Sequence, residues 1–421
     1  MVSPKLSTKH DATHTRLEAS LLLCCARTCI NDKTAEQIKA LLKENINWDY
    51  LLRTAIWHGV MPLLYCSLNA TCPEAVPKAI MDRLRDYFHL LARRNLFLTR
   101  ELLKLLNLFQ AHEIPAIPYK GLVLAASAYG NLALRQFCDL DILIHRQDAL
   151  RVKSLLLTQG YRLSQEQPSG AQEALWFQSA CEYNFVSNDG RVMVEPHWAL
   201  ARPKYCFRLD SECLWERLET ISLAGTPVLT FQPQDMLLIV CMNGTKDRWE
   251  TLKQICDVAE TIRAHQEIDW ERVIKQAGIL GSERMLKLSL FLASDLLGTP
   301  LPEKVWQRID ADPVVKLLAA QVREQLFVKV DNPPKFEESN FSLWDIRVRE
   351  RWQDRVRYCF TLVFMPNEGD AALLPLPPSL YFIYYLLRPI RLVGRNGLIV
   401  LKRILRWLNP KSFSNITRRA T

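Results

Sequence analysis

Two aspartates one residue apart, Asp139 and Asp141, constrain this chain most strongly. They lie in a run of strand-forming residues at 137–144, so both carboxylates project from one face of a strand while Leu140 projects from the other. Alone, such a pair is more often a solvated strand end than a metal site. Inside an apolar run, however, an unpaired charge costs free energy and should be compensated. The candidates for that compensation are Arg135, Lys120 or a cation.

The residues before this strand are typical of an anion site. Lys120 and Gly121 stand between an apolar run at 114–119 and a helical segment that begins near Leu122. A glycine at this junction lets backbone N–H groups at a helix start approach an anion, and the lysine adds a point charge. Phosphate binding at one end and metal binding at the other indicate a site for a nucleoside triphosphate with Mg2+.

A third carboxylate follows a predicted β-hairpin. The sequence Asn-Asp-Gly at 188–190 separates two strand-like runs, 181–187 and 191–197, and Asp-Gly is a strong hairpin signal. Pro196 indicates an edge strand or a strand end. Glu195 therefore lies near the end of a strand that could run beside the aspartate strand.

The segments around this centre are predicted to be mostly helical. Glycine is scarce, with 14 residues in 421, and apolar residues recur at helical spacing on both sides. We predict an α+β fold in which a small mixed-sheet core is inserted between predominantly helical N- and C-terminal regions. Asp32 is the predicted N-cap of the second helix. The predicted units are a helical domain (1–112), the α/β core (113–232), a helical domain that completes the cleft (233–330), and a linker with a basic amphipathic tail (331–421).

The segment 235–265 is predicted as one helix broken near Gly244, or as two. Lys246, Lys253 and Asp257 are spaced to share one helical face. In a functional interpretation Lys246 lies over the site as a phosphate ligand and Asp257 orients it. In a structural interpretation the face is solvated and Lys253 pairs with Asp257. We favour the structural interpretation for Lys253 and keep both for Lys246.

The distribution of charges and cysteines bears on the cellular compartment in which the protein works. The chain has 54 basic and 45 acidic residues, but from Ala371 onward there are nine basic and no acidic residues. The 12 cysteines lack C-x-x-C spacing and lie mostly in apolar runs, which predicts free thiols in a reducing compartment. Without a signal-peptide pattern or a long apolar run, we expect a cytoplasmic protein.

The basic excess belongs to a segment rich in Leu, Ile, Tyr and Trp at 380–408. Three interpretations stay open for it. It can cover an apolar groove with snorkelling arginines, contact a protein partner or an anionic membrane surface, or bind nucleic acid. No recognised nucleic-acid-binding module accompanies it, so we predict no specific nucleic-acid partner.

In their order along the chain, these motifs resemble the uncharacterised nucleotidyltransferase family of the DNA polymerase β-like superfamily. The resemblance rests on Lys120-Gly121, Arg135, Asp139-Leu140-Asp141, Gly160-Tyr161 and Glu195-Pro196-His197-Trp198. It extends to Trp48 and His58-Gly59-Val60 upstream, to Asn243-Gly244-Thr245-Lys246, Trp249, Leu252 and Asp257 downstream, and to LPLPPSLYFIYYLLRPIRL near the end.

The resemblance implies a mixed sheet flanked by helices, on which Asp139, Asp141 and Glu195 bind two divalent ions, Mg2+ or Mn2+. The implied reaction transfers a nucleoside monophosphate from a nucleoside triphosphate to a hydroxyl of an unidentified small molecule or protein. Pyrophosphate would leave. The implied nucleotide-binding residues are Lys120, Gly121, Arg135 and Lys246.

Two departures from the superfamily pattern stand out. Better-known members open the site with Gly-Ser where this chain has Lys-Gly, and Asn243 and Asp247 replace expected histidines. Two alternatives to an active enzyme therefore remain: a catalytically silent nucleotide- or partner-binding protein of the same fold, and a membrane-surface adaptor acting through its tail. The joint presence of three carboxylates favours the enzyme, since a silent binder has no need of all three.

Overall fold

A computed structural model describes residues 17–164, 177, 179–202, 205, 214–327, 342–366, 369–370, 374 and 376–392. Within them the fold is mixed α+β, with a five-stranded sheet between helical regions, as the sequence predicts. The predicted linker that begins at 331 and the part of the tail beyond 392 lie outside the described residues.

From residue 17 onward, where the structure describes the chain, five α-helices precede the sheet. They are α1 (Leu17–Cys25), α2 (Asp32–Leu41), α3 (Trp48–Trp57), α4 (Met61–Thr71) and α5 (Lys78–Ala111). α5 runs for 34 residues because no glycine or proline interrupts its apolar periodicity. The N-cap prediction for α2 is wrong by one residue. Asn31 is the cap, since its side-chain oxygen accepts a hydrogen bond from the Thr34 N–H at 2.9 Å, and Asp32 is the first helical residue.

The sheet combines one parallel pair with three antiparallel pairs. Its strands are β1 (Ala116–Pro118), β2 (Asp139–Ile144), β3 (Tyr161–Leu163), β4 (Phe185–Ser187) and β5 (Met193–His197), with α6 (Gly121–Ser127) after β1 and α7 (Ala149–Thr158) after β2. The spatial order is β1-β2-β5-β4-β3, and β2 and β5 are the parallel neighbours. The predicted hairpin joins β4 to β5. Pro196 stands one residue before the end of a central strand, so it marks a strand end and not an edge strand.

A second hairpin and a run of helices follow. They are β6 (Leu218–Leu223), β7 (Thr226–Phe231), α8 (Pro233–Lys246), α9 (Leu252–Ala264), α10 (Trp270–Leu280), α11 (Glu283–Leu297), α12 (Glu303–Asp310), α13 (Pro313–Leu326), α14 (Leu343–Arg347) and α15 (Trp352–Phe364). The segment 235–265 thus forms two helices. Trp249, in the turn between them, is buried against Gly244, where a Cβ atom would come within 2.4 Å of the indole ring. Only glycine fits at that position.

The largest buried apolar cluster joins helices that precede the sheet in the sequence to helices that follow it. It draws on α1 to α4 and α6 as well as on α8 to α13, while a second cluster packs α5 and α7 against the sheet. The N-terminal helices therefore contact the helices that follow the sheet directly. None of the helices in the described ranges combines the length and apolar character that crossing a bilayer requires.

Candidate functional site

The pairing of β2 with β5 brings the three predicted carboxylates together. Asp141 lies opposite Glu195 in the parallel register, and Asp139 lies two residues earlier on the same face of β2. Donor atoms of Asp141, Glu195 and His197 all lie within 4.8 Å of one another. Two acidic side chains and one imidazole thus meet on two adjacent strands, and Asp139 is near enough for the charges of Asp141 and Glu195 to act on it.

The two aspartates differ in their electrostatic environment. Burial, together with the like charges of Asp141 and Glu195, raises the pKa of Asp139 to about 6. Burial alone would also raise the pKa of Asp141, but Lys120 and His197 hold it well below its ordinary value. The Lys120 Nζ lies 3.1 Å from Asp141 Oδ1. Lys120 and His197 therefore compensate the negative charge of Asp141, whereas burial and the neighbouring carboxylates disfavour the ionised form of Asp139.

His197 connects Asp141 to a fourth carboxylate. Its Nε2 lies 3.0 Å from Asp141 Oδ1 and 3.6 Å from Glu195 Oε2, and its Nδ1 lies 3.0 Å from Glu182 Oε2. Burial disfavours the charged ring, yet the groups around it, Glu182 and Asp141 among them, raise the pKa of His197 well above its ordinary value. In the sequence His197 stands out only as part of the motif at 195–198, and Glu182 is not among the predicted site residues. The signal was present, since extending the hairpin register from β4 and β5 sets Glu182 opposite His197.

Lys120 occupies a strained turn between β1 and α6. Its φ is 56° and Gly121 follows at 28°; positive φ is uncommon for a residue with a side chain. The preceding Tyr119 N–H donates to the carbonyl of Asp141 at 3.2 Å. This hydrogen bond ties the turn to β2, so the ammonium group is held beside the carboxylates.

A second lysine, Lys253 near the start of α9, also acts on the carboxylates. Burial and the charge of Arg135 lower the pKa of Lys253, whereas Asp257 and then Asp139 oppose that shift, and Lys253 in turn lowers the pKa of Asp139. The Lys253 N–H donates to the His58 carbonyl at 3.1 Å, and its side chain packs over Gly59, where a Cβ atom would lie 3.2 Å from Lys253 Cδ. Lys253 is thus half-buried and not part of a solvated face, while Asp257, the partner given to it in the structural interpretation, is among the charges that act on it.

Arg135 and Asp257 form a buried ion pair that we did not predict. Arg135 Nε and Nη2 donate to the two Asp257 oxygens at 2.7 and 2.8 Å, and the Tyr129 hydroxyl donates to the same carboxylate at 2.8 Å. Arg135 Nη1 donates to the Gly121 carbonyl at 3.4 Å. Both Asp257 oxygens are thus engaged, and the idea that Asp257 orients Lys246 is wrong.

Lys246 lies at the C-terminal end of α8, beside Asp247. Its Nζ is 3.8 Å from Asp247 Oδ1. Burial raises the pKa of Asp247, and the charges of Lys246 and Lys120 oppose that shift, so this end of α8 lies on the Lys120 side of the site. Because the chain turns between α8 and α9, Lys246 does not share one helical face with Lys253 and Asp257 as predicted.

His58 supports the backbone that carries Lys253, and its burial predicts a pH dependence of folding. The Leu252 N–H donates to His58 Nδ1 at 3.1 Å, so a proton added at Nδ1 would break this hydrogen bond. Burial lowers the pKa of His58 to about 4, below its value of about 6.5 in an unfolded chain. The unfolded chain then binds the proton more tightly, so His58 makes stability fall by about 3 kcal/mol as pH drops from 6.5 to 4.

Urea unfolding at these two pH values checks this expectation. His58→Gln keeps an acceptor for the Leu252 N–H but cannot be protonated, so its stability should fall less than that of the wild type by about 3 kcal/mol. His112→Gln, which changes an exposed histidine at the end of α5, should follow the wild type. Parallel pH profiles for wild type and His58→Gln would show that His58 is not the titrating group.

Comparison with known proteins identifies the family of the chain. Residues 44–298, more than half of the chain, match the model of a family described as uncharacterised nucleotidyltransferase. No curated protein matches the chain. Among solved structures, an antigenic nucleotidyltransferase-like protein from Paracoccidioides brasiliensis is similar at 15% identity and a TM-score of 0.32, over 52% of this chain and 93% of that one. The family match spans the paired carboxylates, both lysines and the buried ion pair, and the chain belongs to the uncharacterised nucleotidyltransferase family.

Proposed function

We propose that this protein transfers a nucleoside monophosphate from a nucleoside triphosphate to a hydroxyl group of an unidentified acceptor, with release of pyrophosphate. The observation that carries the proposal is the parallel register of β2 and β5, which sets Glu195 beside Asp141 and close to Asp139. Family membership supports nucleotidyl transfer in general. The specific nucleotide and the acceptor, a small molecule or a protein, are for experiment to identify.

The donor set fits two Mg2+ or Mn2+ ions. Carboxylate oxygens are the hard ligands that these ions prefer, and the raised pKa of Asp139 marks a site that is short of positive charge. Asp139 and Asp141 would hold both ions, with Glu195 helping to hold one of them. When bound, such ions polarise the phosphoryl group and activate the attacking hydroxyl.

The chain's own basic groups would bind and orient the triphosphate. Lys120 lies against Asp141 and Lys253 acts on Asp139, and a lysine ammonium is a point charge suited to phosphate. Lys246 is a further candidate from the end of α8. Gly121 would let the backbone N–H groups of the turn approach the phosphates closely.

Two other residues would position these groups. Arg135 is committed to Asp257 and to the Gly121 carbonyl, so we assign it to holding the turn and not to direct nucleotide contact. His197, between Glu182 and Asp141, would fix the orientation of the Asp141 carboxylate. Neither role requires that the residue touch the substrate.

The thiols support a reducing, cytoplasmic environment for this reaction. Five buried cysteines of the described part of the chain are free thiols that act as small hydrophobes, namely Cys25, Cys72, Cys181, Cys241 and Cys256. We therefore include a cytoplasmic location in the proposed function.

Pyrophosphate release tests the function. Wild-type protein would be incubated with each of ATP, GTP, CTP and UTP, with Mg2+ or Mn2+ and an extract that supplies the acceptor. We expect release with at least one nucleotide, and its loss in Asp139→Asn, because the neutral amide removes a charge that the ions require.

Asp86→Asn is the matched control, since it makes the same chemical change at a carboxylate in α5 whose side chain is 72% exposed. It should keep wild-type release. Equal activity in Asp139→Asn and in the control would contradict the enzymatic role of the carboxylate site.

A further inference from the structure

A row of large apolar side chains is exposed along α15. Trp352, Val356, Phe360 and Phe364 follow one another at intervals of four residues, with exposures of 70%, 53%, 63% and 39%. This spacing keeps them on one face of the helix. Tyr358, on the other side, is buried and its hydroxyl donates to Asp345 at 3.2 Å. α15 is therefore docked by one side and presents a second apolar side outward.

A second exposed row lies on the segment 378–392, which begins as a 3-10 helix (Pro378–Ile383) and continues as an α-helix. Phe382, Leu386 and Ile390, again four residues apart, are 61%, 66% and 67% exposed. Arg388 fixes this segment to α15, since its buried guanidinium donates to the Leu362 carbonyl at 3.1 Å and to Asp370 at 2.9 Å. We call the two rows together the apolar face. They belong to two elements in direct contact.

The apolar face is distinct from scattered surface hydrophobics. Among the described residues, 22 large apolar side chains are exposed, and ten of them lie between 352 and 390. Single exposed apolar residues are ordinary, whereas concentrated ones mark interaction sites. This concentration calls for a partner.

The charge around the apolar face indicates what kind of partner. Within the described part of 351–392, the two carboxylates, Asp354 and Asp370, are buried, and Asp370 is neutralised by Arg388 and Arg391. Arg357 is exposed beside the α15 row. Beyond Arg391 the sequence adds seven basic residues and no acidic one, all outside the described residues. An apolar, cationic surface suits an anionic partner, and it disfavours a second copy of itself because like charges would meet.

We propose that the apolar face docks on an anionic lipid bilayer. Trp and Phe side chains on one side of a helix, with arginine alongside, are the composition of helices that lie in a membrane interface. Basic residues add attraction to anionic headgroups within a Debye length of the surface. The protein would then act at a membrane surface while its carboxylate site stays in water.

Vesicle flotation with the full chain tests this proposal. We expect wild-type protein to float with vesicles of equimolar phosphatidylcholine and phosphatidylglycerol, less with phosphatidylcholine alone, and less again as salt rises. Phe360→Ser and Leu386→Ser should each lower the partition coefficient at least about tenfold. Leu90→Ser, at a residue of α5 that is 60% exposed, should float like the wild type.

Three results would overturn the proposal. The first is wild-type protein that floats with neither vesicle type, which would indicate a protein partner. The second is equal recovery of the face variants and Leu90→Ser. The third is a wild-type oligomer that Phe360→Ser converts to a monomer without lipid, which would make the face a contact between copies. Flotation of the wild type with the two lipid compositions and at rising salt needs no variant. It therefore tests the proposal even if a variant fails to fold.

Discussion

Asp141→Asn is expected to reduce pyrophosphate release by at least about a thousandfold. Asparagine keeps the shape of the side chain but removes the charge that lies beside Glu195 in the register and within 3.1 Å of Lys120. Metal-derived stabilisation of a transition state amounts to several kcal/mol, and about 1.4 kcal/mol corresponds to a factor of ten in rate. Initial rates at saturating nucleotide and metal measure this loss.

The same substitution leaves Lys120 and His197 without their carboxylate, so the loss of activity must be separated from a loss of folding. Far-UV circular dichroism and urea unfolding of Asp141→Asn establish how much of the protein is folded during the assay. Binding of Mn2+, followed by electron paramagnetic resonance, should show weaker binding in the folded variant. A folded Asp141→Asn protein that works within tenfold of the wild-type rate would exclude Asp141 as a metal ligand.

Local rules were sufficient for much of the site. Alternation along a strand predicted that Asp139 and Asp141 share a face, and turn chemistry at 188–190 predicted the hairpin that ends near Glu195. The register of that hairpin also places Glu182 opposite His197, although we did not use it. These inferences work because each depends on residues that are close in sequence.

The remaining contacts depend on residues far apart in sequence. Lys253 lies beside the site because its backbone bonds to His58, 195 positions earlier, and Arg135 pairs with Asp257 across 122 positions. No periodicity or turn signal specifies such pairings, since they follow from how the end of α3 and the segment between α6 and β2 pack against α9. The predicted domain boundaries at 112, 232 and 330 remain predictions for the same reason. Helices α1 to α4 share one buried core with α8 to α13, so the units on either side of the sheet in the sequence pack closely together.

Asp257→Ala is expected to lower the free energy of unfolding by about 3–5 kcal/mol. Arg135 and Asp257 are both 5% exposed, so the substitution leaves a guanidinium buried without its counter-charge. It also removes the acceptor of the Tyr129 hydroxyl. A buried charge without a partner costs more than the ion pair contributes. Urea unfolding of the wild type and the variant at pH 7 measures the difference.

The double variant Arg135→Met with Asp257→Leu separates the ion pair from the unpaired charge. Because it replaces both charges with apolar groups of similar size, it should recover most of the stability lost in Asp257→Ala. As a control, Asp49→Ala breaks the ion pair of Asp49, 80% exposed, with Arg83, 58% exposed. This substitution should lower the free energy of unfolding by less than about 1 kcal/mol. An Asp257→Ala variant no less stable than Asp49→Ala would mean that the Arg135 charge is solvated in the folded protein, and Arg135 would then be free to bind nucleotide directly.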